Sequence, residues 1–324
     1  MSNVWGKNIS LSLFGESHGA GIGIVLGGLP AGEAVDMEAI AAQMKRRAPG
    51  QDETATPRKE TDAVEVLSGL FQGKTTGAPV CGIIRNHNTD SKAYTPQLPR
   101  PGHADFTAHV KYKGFQDYRG GGHFSGRLTA PLTFAGSLAK QILEGRGIFI
   151  GAHMQQIAGI SDASFTHIES ALLQRLNQAT FPLLEEEKEA AMRQAILAAK
   201  AEQDSVGGII ECAACGLPAG LGAPFFDPLE SSIASMIFAI PAMKGIEFGS
   251  GFAFAEMRGS VANDALFMEG NEVKARTNHS GGINGGISNG MPLVFRVAVR
   301  PTPSIGITQN TVDLTTMQNS SIAV

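Results

Sequence analysis

The sequence predicts an α+β fold, and three observations carry that reading. Apolar residues alternate with polar or glycine positions near the start, at Ile9, Leu11 and Leu13 and again at Ile22, Ile24 and Leu26, the period of half-buried strands. Segments with capping residues and amphipathic spacing follow in the middle of the chain, and strand-like runs return near its end, at Phe252–Met257 and Leu293–Val299. No internal repeat or linker-like stretch interrupts residues 1–324, which predicts a single domain.

Each element has its own signal. Gly15 to Gly19 connects the first two strands. Asp36 caps a helix with Ile40, Ala41 and Met44 on one face. Lys45, Arg46 and Arg47 suit its negative end, and Pro49-Gly50 stops it. Residues 51–62 read as irregular, Val64–Leu70 and Pro79–Ile84 as strands, and 86–127 as a segment with few helix signals. Thr129 before Pro131 starts a helix reaching Leu143. Thr166 with Glu169 forms a capping box for a second, and a polar third runs over Leu183–Ala201. Asp227, Pro228 and Glu230 open one that ends at Ile240.

Composition narrows the function. Of 324 residues 43% are apolar, enough for a sizeable core, while only 17% are charged and 40 are glycine. Disordered tails and collagen are excluded, and a net charge of -4 gives no support for a general nucleic-acid binder. Three cysteines make no disulfide framework. Cys212 and Cys215 fall within a strand-like run, so ordinary reduced thiols and a cytoplasmic location are expected. No signal peptide or membrane span is visible.

Two histidines stand in polar, glycine-rich turns: His18 in Gly15-Glu16-Ser17-His18-Gly19 and His103 in Arg100-Pro101-Gly102-His103-Ala104-Asp105. Imidazole moves protons near neutral pH, although a lone loop histidine is usually only a hydrogen-bonded surface residue. The stretch 100–127 carries five Lys or Arg against two Asp in a chain that is acidic overall. Within it, three glycines between Arg119 and His123 let backbone N–H groups close around an anion, with Arg127 beyond. Arg46 and Arg47 form a second basic pair. Together these point to a small, polyanionic, phosphorylated ligand rather than to solvated surface charge.

Other chemistries lack their signatures. Gly19-Ala20-Gly21-Ile22-Gly23 misses the dinucleotide spacing, and no P-loop or G-x-S-x-G elbow occurs. No His/Asp/Glu spacing suggests a metal. The glycine-rich run Asn278–Ser288 could cradle a second ligand.

Taken together, these segments resemble the chorismate synthase family. The resemblance rests on Gly15–Gly19, Arg46-Arg47-Ala48-Pro49-Gly50, Arg100–Asp105 and Asp117–Gly122. It continues through Asp204–Gly208, Gly216–Gly222, Asn278–Gly282 and Arg300-Pro301-Thr302-Pro303-Ser304, in family order over nearly the whole chain. It implies a β-α-β sandwich, with helices between antiparallel sheets, assembled as a homotetramer. The implied reaction is an anti 1,4-elimination of phosphate from 5-enolpyruvylshikimate 3-phosphate that gives chorismate in aromatic amino-acid biosynthesis. Reduced FMN is required without net redox change.

By motif match His18 protonates the departing phosphate, and His103 stands by the reduced flavin. Ser17, Arg46, Arg47, Arg119 and Arg127 hold the substrate. FMN falls to His123, Phe124, Ser125, Pro241, Ala242, Asn284 and Arg300, Pro301, Thr302, Pro303 and Ser304. Arg47 also matches a position linked to NADPH in some members; an external flavin reductase is the other source of reduced flavin. The chain departs from the pattern at His123-Phe124-Ser125-Gly126-Arg127-Leu128-Thr129, where the family has Arg-Ser-Ser-Ala-Arg-Glu-Thr, and at Glu53, where it has arginine. Val324 comes before the family's Arg-His-Asp-Pro segment. Two further readings follow from these departures: an impaired homologue that still binds FMN or substrate, and a flavin- and NADPH-dependent oxidoreductase.

Overall fold

Two antiparallel sheets, each with its own helices, define the architecture of the computed structural model, which describes residues 4–50, 52–56, 58, 60–89, 91 and 94–324. Contacts group the chain into two compact units. The first comprises residues 1–142, 199–205 and 303–324, and the second 143–198 and 206–302. Each unit is assembled from separate stretches of chain, so the division leaves no linker for the sequence to display.

The first unit is built on strands β1 (Val4–Trp5), β2 (Ser10–Gly15), β3 (Gly21–Gly27), β4 (Val64–Ser68) and β7 (Val80–Arg85), in the order β1-β2-β3-β7-β4. The short pair β5 (Leu70–Phe71) and β6 (Lys74–Thr75) lies between β4 and β7. The expected strand Val64–Leu70 is therefore broken at Gly69, whose φ of +88° sits where a Cβ would strike Val80.

Helix α1 (Met37–Arg47) starts as predicted. Asp36 accepts hydrogen bonds from the N–H groups of Glu38 and Ala39 and meets the partial positive charge of the helix end. Ile40 and Met44 are buried, but Ala41 is exposed, since at 100° per residue it falls just off the core stripe. Helix α3 (Thr129–Glu144) buries Phe134, Leu138 and Ile142 against Ile22, Ile24, Val80 and Ile84 of the sheet. Its capping differs from expectation: Thr129 is already helical, and its hydroxyl donates to the Gly126 carbonyl at 2.6 Å.

Between these helices lies α2 (Asp105–Tyr112), in a stretch expected to be irregular. Only Ala108 of its side chains is buried, so the apolar periodicity that would reveal it is missing.

The second unit holds strands β8 (Phe149–Ile157), β9 (Ile160–Ser161), β10 (Gly208–Cys215), β11 (Met243–Phe248) and β16 (Leu293–Val299), ordered β11-β16-β10-β8-β9. The hairpins β12 (Leu266–Glu269) with β13 (Glu272–Ala275), and β14 (Ile283–Asn284) with β15 (Ile287–Ser288), are separate ribbons. Helix α4 (Ser170–Gln178) packs on β8, with Leu173 in van der Waals reach of Gly151.

Neither expected capping box forms. Helix α4 begins after Glu169, four residues beyond Thr166, and α6 (Leu229–Phe238) has Pro228 itself as its cap residue. Helix α5 (Glu189–Ala201) is preceded by a 3₁₀ turn at Glu186–Lys188. Of Phe252–Met257, expected as strand, all but Met257 lies in the 3₁₀ turn Gly251–Glu256, where Gly251 takes a φ of +52° that a strand ladder does not accept. Cys212 and Cys215 are free on β10, and burial first, then Glu211, push the Cys212 thiol up to about 12. The chain returns to the first unit in the hairpin β17 (Gln309–Asp313) and β18 (Gln318–Ile322). Among the described residues no helix is long and apolar enough to cross a membrane.

Phe134, 1% exposed, tests the first core. Phe134→Ala should cost about 3–5 kcal/mol in urea unfolding; a loss below about 1 kcal/mol would show that the helix does not seal this sheet.

Candidate active site

The first unit gathers its polar chemistry around one turn of glycines. Gly120, Gly121 and Gly122 have φ of 60°, 81° and 55°, the left-handed region that glycine enters without a Cβ penalty. Each faces a crowded neighbour. A Cβ on Gly120 would overlap Cδ2 and Nε2 of His18, and one on Gly122 would overlap the Asp117 carbonyl. One on Gly121 would stand 3.0 Å from Cε1 and Nε2 of His103. Two imidazoles 85 residues apart in sequence thus lie against consecutive glycines of the same turn. The Ser17 N–H donates to the Gly122 carbonyl at 3.0 Å, which ties the His18 loop to it.

Each imidazole is oriented through Nδ1. That of His18 is hydrogen-bonded to Ser91 Oγ at 2.7 Å, and the ring meets Tyr94 edge-on at 5.5 Å. His103 Nδ1 donates to Asp105 Oδ1 at 2.6 Å. Arg100 Nη2 lies 3.0 Å from the same nitrogen, but the shorter, charge-assisted contact with the carboxylate decides where the proton sits. In both rings Nε2 lies on the glycine side, that of His103 also 3.4 Å from Arg100 Nη2.

Asp105 is held in turn by Arg100, through Nε at 2.7 Å, Nη2 at 2.9 Å and the backbone N–H at 3.0 Å. Burial raises its pKa, but hydrogen bonds and charge from Arg100 and His103 prevail and hold the carboxyl well below the usual carboxylate range. Arg100 is 7% exposed, stacks on Tyr94 and donates from Nη1 to Ser304 Oγ at 3.0 Å. Ser304 of the matched 300–304 segment thereby joins the His103 cluster, and Pro303 belongs to the same first unit.

A second cluster forms behind His18. Ser17 is fully buried, and its Oγ accepts from Arg58 Nη1 at 2.9 Å. Arg58 also pairs with Glu60 at 2.9 Å. Burial pushes the Glu60 carboxyl up, yet the Arg58 bond, the Asn88 and His87 N–H groups and the Arg127 charge hold it below its ordinary value. Asp62, buried with a φ of +51°, takes Arg47 on one oxygen and Arg127 on the other. Arg127 is 4% exposed; its Nε donates to Asn86 Oδ1 at 3.1 Å, and its Nη2 is buried with no hydrogen-bond acceptor among the described residues.

The remaining matched residues are less enclosed. Arg46 is exposed on the last turn of α1, and Arg119, exposed, pairs with Asp117 at 2.7 Å. His123 Nδ1 donates to the Gly15 carbonyl at 2.8 Å, leaving its Nε2 without a hydrogen bond among the described residues. Phe124 packs against Tyr112 at 6.1 Å, and Ser125 Oγ accepts from the Arg127 N–H at 3.3 Å. Pro241, Ala242, Asn284, Arg300, Pro301 and Thr302 belong to the second unit. There the Arg300 N–H donates to the carbonyl of Ala242, whose φ is +73°. Asn284 is exposed, bonded to Ser280 and Asn289.

Sequence reasoning passed over Arg58, Glu60, Asp62 and Asn86. The polar stretch 51–62 and the end of β7 carry no periodicity, and the cation Arg58 next to acidic residues was the only available signal.

Imidazoles and guanidinium groups collected around one turn, with donors left over, are the equipment of an enzyme that moves protons beside an anion. The comparisons name it further, and the enzyme is a lyase. The chain belongs to the chorismate synthase family, whose model matches residues 9–324. It is 44% identical to the chorismate synthase of Dehalococcoides mccartyi over 100% of this chain and 89% of that one. That of Thermococcus kodakarensis is 46% identical over 98% and 88%, and that of Chitinophaga pinensis 47% over 96% and 85%. A crystal structure of a chorismate synthase superposes with a TM-score of 0.76 at 28% identity, covering 92% of this chain and 85% of that one. The α+β class read from the sequence is that of this family.

Asp105→Asn should destabilise the protein by about 3 kcal/mol at pH 7, because the buried Arg100 loses its counter-charge. Because the native pKa lies below the unfolded one, this stabilisation is complete above the ordinary carboxylate range and fades as the pH falls through the native value. Denaturant midpoints of the two proteins should therefore converge only in strong acid; an equal gap at every pH would show that the charge of Asp105 is not what matters.

Proposed function

We propose that this enzyme eliminates phosphate from 5-enolpyruvylshikimate 3-phosphate to give chorismate, with reduced FMN as cofactor. The observation that carries the residue assignment is the placement of His18 and His103 on neighbouring glycines, each with Nε2 turned to that side. The polar atoms with hydrogen-bonding capacity to spare suit an anionic aromatic cofactor and a phosphorylated substrate: Arg127 Nη2, 4.0 Å from Glu60 Oε2, and His123 Nε2 both lack a hydrogen bond among the described residues. Reduced FMN, when bound, supplies electron density to the substrate ring, so that phosphate departs without net oxidation.

His18 gives its Nε2 proton to the leaving phosphate, oriented by Ser91 at Nδ1. His103 stands beside the flavin, its ring held by the Nδ1 hydrogen bond to Asp105. Arg47, Arg58 and Arg127 face only two carboxylates, Asp62 and Glu60, so the cluster keeps a net positive formal charge for the substrate's anionic groups, with Arg46 and Arg119 as its exposed cations and Ser17 beside them. Motif match assigns FMN to His123, Phe124, Ser125, Pro241, Ala242, Asn284 and Arg300, Pro301, Thr302, Pro303 and Ser304. The same resemblance supports a homotetramer, and NADPH at Arg47 or an external reductase as the source of reduced flavin.

Phosphate release from 5-enolpyruvylshikimate 3-phosphate, followed anaerobically with dithionite-reduced FMN, tests the reaction. Wild-type protein should turn over, and His18→Ala should lower kcat by about 10²–10⁴-fold, the usual worth of a positioned acid. Unchanged turnover in that variant would remove His18 from the mechanism, and binding of FMN and substrate without turnover by folded wild-type protein would overturn the assigned activity. His123→Arg should tighten FMN binding in fluorescence titration; equal or weaker binding would place His123 away from the flavin.

A further inference from the structure

The sheet of the second unit carries a row of ionisable side chains that the proposed reaction does not use. His153 on β8 lies opposite Glu211 on β10, Glu211 opposite Arg296 on β16, and Arg296 opposite Glu247 on β11. Residues opposite one another in antiparallel ladders share a face, so the four side chains form one line across four strands. Its two ends are closed. His153 sits between Asp162 Oδ2 at 2.8 Å and Glu211 Oε2 at 3.0 Å, and Arg296 Nη2 donates to Glu247 Oε1 at 2.8 Å.

The middle is open. Glu211 and Arg296 are cross-strand neighbours of opposite charge, yet no ion pair joins them. Glu211 is 4% exposed, and its Oε2 also accepts from the Phe165 N–H at 2.7 Å. Its Oε1 accepts nothing among the described residues, while Arg296 Nε is buried without an acceptor there. An unpaired donor of this kind costs about 1–3 kcal/mol, which an acceptor entering the gap would recover.

Both residues line a cavity of about 290 Å³ within the second unit. Phe165, Ile168, Met291 and Val294 supply its apolar wall. A lone anion there would meet Glu211, and a lone cation would meet Arg296. A dipolar ligand matches both: a cationic donor for Glu211 Oε1, an anionic acceptor for Arg296 Nε, and an apolar group for the wall.

We propose that this cavity binds a small zwitterion, an α-amino acid with an apolar side chain, its ammonium on Glu211 and its carboxylate on Arg296. The site lies on residues that the elimination reaction does not engage, so its failure leaves the assigned activity untouched.

Isothermal titration of the full chain with L-leucine and with L-phenylalanine tests the site. Saturable binding of at least one at a stoichiometry of about one per chain is expected, weakened at least about 10-fold when the ammonium is removed (4-methylpentanoate) or the carboxylate is removed (3-methylbutylamine). Arg296→Gln should abolish it. Should that variant fold poorly, Ile168→Trp fills the cavity from outside the sheet and should abolish binding with the circular dichroism unchanged. No saturable heat with either amino acid up to about 10 mM overturns the proposal and leaves a cavity filled only by water. Binding that survives loss of either charged group, or survives Ile168→Trp, overturns it equally.

Discussion

A left-handed run of three glycines is the constraint on which the first unit's chemistry depends. At Gly120 and Gly121 the missing Cβ atoms leave room for two imidazole rings, and at Gly122 for a backbone carbonyl. A side chain at any of the three would meet both the steric penalty of positive φ and an occupied neighbour. The turn is further fixed by the Ser17–Gly122 hydrogen bond and by Arg119, which is clamped to Asp117. Strand β2 delivers His18, and the N-terminus of α2 anchors the carboxylate that steers His103, so both rings take their positions from regular elements.

Around that turn, charge is organised by carboxylates more than by the cations that draw attention first. Asp105 binds Arg100 and His103 together, Asp62 binds Arg47 and Arg127, and Glu60 binds Arg58 behind Ser17. Three buried or half-buried acids thus pre-orient four guanidinium groups. The cost of burying the acids is met by hydrogen bonds to their charged forms, as the lowered pKa values of Asp105 and Glu60 record. A basic site assembled this way is stiff before any ligand arrives, which suits transition-state stabilisation better than flexible lysines would. The second unit uses the same device in its sheet, where acids alternate with His153 and Arg296.

Much of this was legible in the residues alone. Period-two alternation gave β2 and β3, and Asp36 with the Lys45–Arg47 end gave α1. The cation excess around Gly120–Gly122 marked the turn against which His18 and His103 lie, and the order of short motifs marked the family. Those signals are local: they depend on neighbours within a few positions, where side-chain period and capping chemistry act. The capping boxes at Thr166 and Asp227 do not form, since α4 is capped at Glu169 and α6 at Pro228, neither with a side-chain cap hydrogen bond.

Pairings across long separations had to wait for the folded chain. That Asp62 would join Arg47 to Arg127, that Arg100 would reach Ser304, or that Glu211 would face Arg296 depends on register and chain return, which no window of sequence encodes. Composition and local spacing determined the class of fold and the kinds of groups available. Which of those groups meet, and which polar atoms stay unmatched, was decided by burial, because partner choice for a buried charge depends on every element packed around it.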